Sequence, residues 1–289
     1  MARKKKKVLI FTDLDGTLLD ANNYSFEEAL PALEKVKERK IPLILCSSKT
    51  KAELELYRKR LKIDDPFISE NGGAIFIPRG YFRQIPDELK KGRKYLVLEL
   101  GTPYPKIRRE FLEVFNKLKI NAVGFGDLKA EELSSLLNLS KTEAKLALKR
   151  GYDEPFYFLK RVKKEKLKLA QGEFNKSGLN LTKGGRLFHL TGGNDKGRAV
   201  RLLTQIYRKN RRDYLLTIGL GDSLNDLPLL ESVDIPVLVR KKGNLYERKI
   251  LNKLSTGSKV KVYKTKGIGP RGWNQALLDL IAKDSSEAG

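Results

Sequence analysis

The chain has 289 residues, 40% hydrophobic and 33% charged, which suits one large or two modest domains with a buried core and a soluble surface. No apolar run approaches the roughly 20 residues that span a bilayer, and the single cysteine, Cys46, excludes an internal disulfide and fits a reducing cytoplasm. The net charge of +24 is spread from "RKKKK" through "KKEKLKLAQ" to "RKKGNLYERK", without zinc-finger spacing or an aromatic ribonucleoprotein strand; a lysine-rich, heat-adapted surface is favoured over nucleic-acid or membrane binding.

The start, "MARKKKKVLIFTD", is basic and then apolar, but its apolar stretch is only Val8 to Phe11 and runs straight into acids. It reads as an exposed basic lead-in to a first strand, not as a secretory signal. "VLIFTD" is a continuous apolar strand of the kind buried on both faces of a parallel sheet. "SFEEALPALEKVKERK" follows as a helix, with Ser25 as N-cap and apolar residues at helical spacing. "IPLILCSS" is a second buried strand, "KAELELYRKRL" a helix, and "DPFISENGGAIFIP" a strand, turn and strand about Asn71-Gly72-Gly73.

The texture changes between residues 86 and 188. "KYLVLEL" and "GRLFHLTG" read as strands, and "YPKIRREFLEVFNKL" and "KAEELSSLLNLSKTEAKLALKR" as helices, which fits an α+β module inserted into an α/β domain. Alternation then resumes. "NDKGRAVRLLTQIYRKN" is a helix, "YLLTIGLGD" a strand, "SLNDLPLLESV" a short helix, "IPVLV" a strand and "GWNQALLDLIAK" a closing helix. The expected architecture is an α/β, doubly wound, Rossmann-like parallel-sheet core, residues 1–85 and 189–289, with an inserted α+β cap over 86–188.

In "DLDGT", Asp13 and Asp15 end a strand at i and i+2, so both point into one crevice at the carboxyl edge of the sheet. Two carboxylates there repel unless a cation joins them or one holds a proton, and Mg²⁺ with its oxygen ligands is the natural partner. Gly16 permits the tight turn and Thr17 offers a hydroxyl and an N–H to phosphate. A strand-end turn with a helix cap would account for one aspartate and leave the other unpaired. In "GLGDSLND", Asp222 ends another strand as a second metal carboxylate, with Asn225 and Asp226 one turn on to hold the loop and metal waters. "LCSSKT" sets Ser47, Ser48 and Thr50 before a helix N-terminus, which suits an anion, and "NDKGRAV" puts Lys196 at a helix start, where it could neutralise phosphate.

This order of motifs resembles the haloacid dehalogenase superfamily of phosphatases, and the insert resembles that superfamily's type-II (C2B-like) cap. The resemblance implies that Asp13 attacks phosphorus, Asp15 acts as acid and then base, Ser47 binds the phosphoryl group and Lys196 stabilises it. It implies a Mg²⁺ site of Asp13, Asp15 through its carbonyl, and Asp222. "CSSKT", "DPFISENGGAIFIP", "YDEPF" and "GPRGWNQALL" are further similar to the mannosyl-3-phosphoglycerate phosphatase family. That likeness implies hydrolysis of mannosyl- or glucosyl-3-phosphoglycerate, an anionic small molecule, to a compatible solute such as mannosylglycerate. Candidate substrate contacts are Gly16, Thr17, Ser48, Lys49, Glu70, Asn71, Gly72, Arg150, His189, Thr191 and Gly192.

Plainer readings stand beside these: a hairpin turn at Asn71-Gly72, a half-buried His189, and a C-terminal helix cap at Arg150. Gly151 stands where a charged residue is expected, which leaves mannosyl against glucosyl open. The alternative function is a broader sugar-phosphate phosphatase of the same superfamily. A nucleic-acid binder on an inactive scaffold is disfavoured, because Asp13, Asp15, Lys196 and Asp222 are all in place. A monomeric or homodimeric cytoplasmic enzyme is expected.

Overall fold

The computed structural model describes residues 7–183, 187–210, 215–243, 245–257 and 261–286; the basic lead-in, residues 1–6, lies outside them. β1 (Lys7–Thr12) turns Val8 and Ile10 into one apolar core and Leu9 and Phe11 into another, as a strand between two helical layers must. α1 (Leu30–Glu38) begins later than its pattern suggests: Pro31 cannot continue a helix from upstream, so it occupies the first turn. A single 3₁₀ turn, Glu27–Ala29, precedes it, and the Ser25 hydroxyl accepts from the Glu27 N–H at 3.2 Å.

β2 (Leu43–Cys46), α2 (Lys51–Leu61), β3 (Phe67–Ser69), β4 (Ala74–Pro78), β5 (Lys90–Lys91) and β6 (Tyr95–Glu99) follow. The next stretch holds α3 (Tyr104–Lys117), β7 (Ala122–Gly124), α4 (Ala130–Leu137), α5 (Lys141–Ala147), β8 (Asp153–Phe158), α6 (Lys164–Lys176), β9 (Asn180–Lys183) and β10 (Phe188–Thr191). α4 and α5 share one helical-looking stretch but separate at Asn138, whose φ of 56° ends the first while Ser140 caps the second. The chain closes with α7 (Lys196–Asn210), β11 (Leu215–Gly221), α8 (Leu227–Leu230), β12 (Ile235–Arg240), α9 (Arg248–Gly257), β13 (Tyr263–Ile268) and α10 (Gly269–Ser286).

Nine strands form one sheet in the order β13-β12-β11-β1-β2-β3-β4-β6-β5. The six from β13 to β3 run parallel, and β4, β6 and β5 extend them antiparallel. Side chains of α1, α2 and α10 pack on one face, and those of α7, α8 and α9 on the other, which is the doubly wound α/β core. The second sheet is antiparallel, β7-β8-β10-β9, and buries Phe156 and Leu190 against Phe111 and Phe115 of α3 and Phe174 of α6.

Sheet membership shifts both ends of the expected insert. β5 and β6 fall within 86–188 yet join the core sheet, β6 pairing with β4 and β5 with β6, because the hairpin partner of β3 would otherwise be an open edge. β10, expected to rejoin the core from residue 189, pairs with β8 and β9 instead. No described helix is long and apolar enough to cross a membrane.

Candidate active site

β1 and β11 lie side by side in parallel, so Asp13 and Asp222, each one residue past its strand, arrive at the same edge. The Asp13 N–H donates to the Leu220 carbonyl at 2.9 Å, which ties the two strand ends together. Lys196, the first residue of α7, is 1% exposed, and its Nζ donates to Asp13 Oδ1 at 2.8 Å and to Asp226 Oδ1 at 2.7 Å. The other oxygen of Asp226 accepts from the N–H groups of Asp222 (3.1 Å) and Ser223 (3.0 Å). Asp222 Oδ1 accepts from the hydroxyls of Ser223 (3.0 Å) and Thr17 (3.3 Å).

Burial, then the nearby Asp226, pushes the carboxyl of Asp13 well above its ordinary range, and the same two causes raise that of Asp222 to about 6. Burial alone would lower Lys196; Asp13 and Asp226 instead hold its ammonium above the usual lysine value. Oxygens of Asp13, Asp222 and Asp226 all lie within 4.8 Å of one another; buried Lys196 lies between Asp13 and Asp226 and Lys241 Nζ stands 3.5 Å from Asp222 Oδ2, so three carboxylates face two ammonium groups. Asp226 spends both oxygens on Lys196 and on backbone amides, so Asp13 and Asp222 have capacity left. This all-oxygen, net-negative pocket fits a hard divalent cation.

Asp15 is held differently. Lys49 Nζ lies 3.0 Å from Asp15 Oδ1, and the lysine is buried beneath the rings of Tyr24 and Tyr57. Burial would lower Lys49, but Asp15 and then Glu53 hold it above its usual value. Ser47 is fully buried at the end of β2, its hydroxyl accepting from the Lys49 N–H at 3.3 Å, and Thr50 caps α2 in a reciprocal box with Glu53.

A cavity of about 830 Å³ opens above this floor, and Asp13, Asp15, Ser48, Asn71, His189, Thr191, Lys196 and Asn225 line it. The turn between β3 and β4 reaches it by an unusual path: Glu70, Asn71 and Gly72 have φ of 48°, 55° and 91°, three left-handed residues in a row. The Asn71 Oδ1 accepts from Asn225 Nδ2 at 3.2 Å, joining that turn to the loop after β11.

Several expected substrate contacts lie elsewhere. Glu70 and Arg150 are buried outside the cavity lining, with Arg150 Nε 3.3 Å from Glu70 Oε1. Glu70 also accepts from the N–H groups of Gly151 (2.9 Å) and Tyr152, while Arg150 Nη2 donates to Asp153 Oδ2 (2.9 Å) and the Ser48 carbonyl (3.3 Å). Opposite charges this deeply buried pair with each other, so neither is left for a ligand. Lys49 is likewise engaged by Asp15. Gly72 and Gly192 serve packing: a Cβ on the first would run into the Asp195 carbonyl, and one on the second into the Thr102 hydroxyl. Gly16 takes φ +80°, and a Cβ there would come within 3.0 Å of the Asp222 carboxylate.

Three features escaped the sequence reading. Asp153, fully buried, accepts from His189 Nδ1 at 2.8 Å. Asn194 Nδ2 donates to the carbonyls of Glu70 (2.7 Å) and Tyr152 (2.9 Å), clamping the turn to the insert. Trp273, read as a packing residue, is buried as expected, but its Nε1 also donates at 3.0 Å to the Thr12 hydroxyl, which donates to the Asp13 carbonyl at 2.7 Å. Only "YDEPF", an acidic pair inside an apolar strand pattern, carried a hint of the first.

Residues 10–88 match the pattern of the haloacid dehalogenase-like hydrolases. Over 282 residues, 97% of this chain and 99% of the relative, the sequence is 47% identical to a glucosyl-3-phosphoglycerate/mannosyl-3-phosphoglycerate phosphatase of Methanococcoides burtonii. The chain belongs to the mannosyl-3-phosphoglycerate phosphatase family of haloacid dehalogenase-like hydrolases. As a family member it is a phosphoric monoester hydrolase. It is also 41% identical to the phosphatase of that double name from Persephonella marina, over 95% of this chain and 97% of that one. A mannosyl-3-phosphoglycerate phosphatase of Pyrococcus horikoshii is 36% identical, over 84% and 94%. The fold is similar to that of Thermoplasma acidophilum 0175 (TM-score 0.63, 16% identity, 96% and 99% covered). It is similar also to the sucrose-phosphatase of a Synechocystis species (TM-score 0.59, 16% identity, 97% and 98% covered).

Proposed function

We propose that the protein is a Mg²⁺-dependent phosphatase that hydrolyses glucosyl- or mannosyl-3-phosphoglycerate to the glycosylglycerate and inorganic phosphate. The observation that carries this reading is Lys196, buried between Asp13 and Asp226 under a cavity large enough for a glycosyl ester, in a chain 47% identical to a phosphatase of that name.

Asp13 is the nucleophile. Its carboxylate oxygen forms a bond to phosphorus as the phosphorus–ester oxygen bond breaks, and Asp15 gives its proton to the departing glycerate oxygen. Asp15 then takes a proton from water as the water oxygen attacks phosphorus. The bond between phosphorus and the Asp13 oxygen breaks with its electron pair returning to that oxygen, which frees inorganic phosphate and restores the Asp13 carboxylate. Lys196 opposes the burial that favours the protonated form of Asp13 and holds its carboxyl in place, and Ser47 and Ser48 with the N-terminal turn of α2 receive the phosphoryl oxygens. Asp13, Asp222 and the Asp15 carbonyl hold Mg²⁺, while Asp226 and Asn225 fix the loop that carries Asp222. When bound, the cation neutralises charge on the phosphoryl oxygens and offsets the repulsion among the carboxylates.

Lys49 Nζ lies 3.0 Å from Asp15 Oδ1, so this lysine orients the Asp15 carboxyl rather than gripping substrate. The module of the small sheet is the substrate-selecting part, taken from α3 to β10 by sheet membership. The test is phosphate release with and without Mg²⁺ from mannosyl- and glucosyl-3-phosphoglycerate beside simple sugar phosphates. Preferential, Mg²⁺-dependent release from the two glycosyl esters is expected. Equal turnover of the simple sugar phosphates would favour a broad sugar-phosphate phosphatase instead.

A further inference from the structure

The small sheet turns a polar face to the catalytic cavity, and the register says which residues share it. β9 and β10 pair antiparallel with His189 opposite Thr182 and Thr191 opposite Asn180, so these four side chains lie on one face. Leu190, between His189 and Thr191, packs with Phe156 into the core on the other face, with Leu181 against it. All four polar residues line the cavity that also holds Asp13 and Lys196. Asp153, opposite Thr191 on β8, is fully buried on the same face and accepts from His189 Nδ1 at 2.8 Å. This leaves Nε2 as the imidazole nitrogen available to the cavity. Asp153 is itself anchored by Arg150 at 2.9 Å.

Resting on the reading above, we infer that Asn180, Thr182, His189 and Thr191 form the subsite for the sugar of the glycosyl ester, and that Asp153 is a positioning residue for His189. An amide, two hydroxyls and an imidazole together offer hydrogen-bond donors and acceptors, which matches the hydroxyls of a hexose. The charged groups that would receive the phosphate, Asp13, Asp15 and Lys196, line the same cavity. Asn180 and Thr182 are exposed, as residues awaiting a ligand would be. Among the described residues, Asn180 Oδ1 has a long contact, 3.4 Å, with Gln171 Nε2.

The test compares kcat/KM for glucosyl- and mannosyl-3-phosphoglycerate with that for 3-phosphoglycerate, which keeps the phosphate and carboxylate but lacks the sugar. The wild-type enzyme is expected to favour the glycosyl esters. Asn180→Ala and Thr182→Val are each expected to shrink that preference about tenfold, the size of one lost hydrogen bond. His189→Phe should do the same. Asp153→Asn keeps an acceptor for Nδ1–H and should retain more of the preference than His189→Phe. A wild-type preference that survives intact in Asn180→Ala, Thr182→Val and His189→Phe would overturn the subsite. Parallel loss on all three esters in Asp153→Asn, with the preference unchanged, would make Asp153 structural and overturn its positioning role. Absence of any wild-type preference would defeat the functional reading itself, and the subsite with it; the two failures are thus separable.

Discussion

At the residue scale, the site is organised by one lysine between two carboxylates. Lys196 bonds Asp13 and Asp226 at once, so Asp13 is restrained by a partner that cannot leave without stranding a buried charge. Asp13→Asn keeps the volume and a hydrogen bond to Lys196 but removes the proposed nucleophile. Phosphate release is expected to fall by at least about a thousandfold with an unchanged circular dichroism spectrum; near wild-type release would defeat the covalent route. Arg150 is a candidate substrate contact in the sequence because it stands just before "YDEPF", one of the segments that carry the family resemblance. Its guanidinium instead neutralises Glu70 and Asp153 away from the cavity. Arg150→Ala is expected to cost about 3–5 kcal/mol of stability in urea unfolding, by stranding two buried carboxylates. It should depress activity on glycosyl and aryl phosphates alike; a KM effect confined to the glycosyl ester, with stability intact, would return Arg150 to the substrate.

At the element scale, the short turn after β3 does two jobs. Asn71 faces the cavity, while Glu70 on one side and Gly72 on the other bind the turn to the start of β8 and to the residue before α7. Glycine is required at 72, where φ is +91° and a Cβ would meet the Asp195 backbone. At Gly80, with φ +79°, a Cβ would meet nothing within 4 Å. Gly80→Ala should therefore cost only the left-handed strain, about 1–2 kcal/mol, and Gly72→Ala clearly more, with loss of activity as Asn71 shifts. Equal urea midpoints for the two variants would show that the Gly72 contact relaxes freely. "ENGG" announced a turn, but not that three successive residues would be left-handed, since Glu70 is a poor choice for that conformation. The N–H groups of Gly151 and Tyr152 that hold the Glu70 carboxylate come from 81 and 82 positions away, which no local pattern records.

At the scale of the molecule, buried carboxyls set how stability responds to pH. Burial raises Glu70 to about 7 against the opposing pull of Arg150, so the folded state holds its proton more tightly than the unfolded chain does. Such a group's contribution is most favourable below the unfolded value near 4.5 and is lost as pH rises toward 7, by up to about 3 kcal/mol. Stability of the wild type should fall across that window, and Glu70→Gln should flatten the fall; identical pH profiles for the two proteins would contradict the assignment.

By itself, the sequence determined the alternating strands and helices, the acidic strand ends at Asp13 and Asp222, and the lysine at the head of α7. Those signals are local: a run of apolar residues, a spacing of two, a helix start. Whether a charged residue serves the cavity or the core was decided only by tertiary structure. Arg150, Glu70 and Lys49 each look available in the chain, and each is taken by a partner that the fold brings to it. The polar face of the small sheet belongs to the same class, because which side of β9 meets the catalytic floor depends on register with β10. Burial makes an unpaired charge costly, so long-range pairing, invisible along the chain, determines which of its polar residues remain free to act.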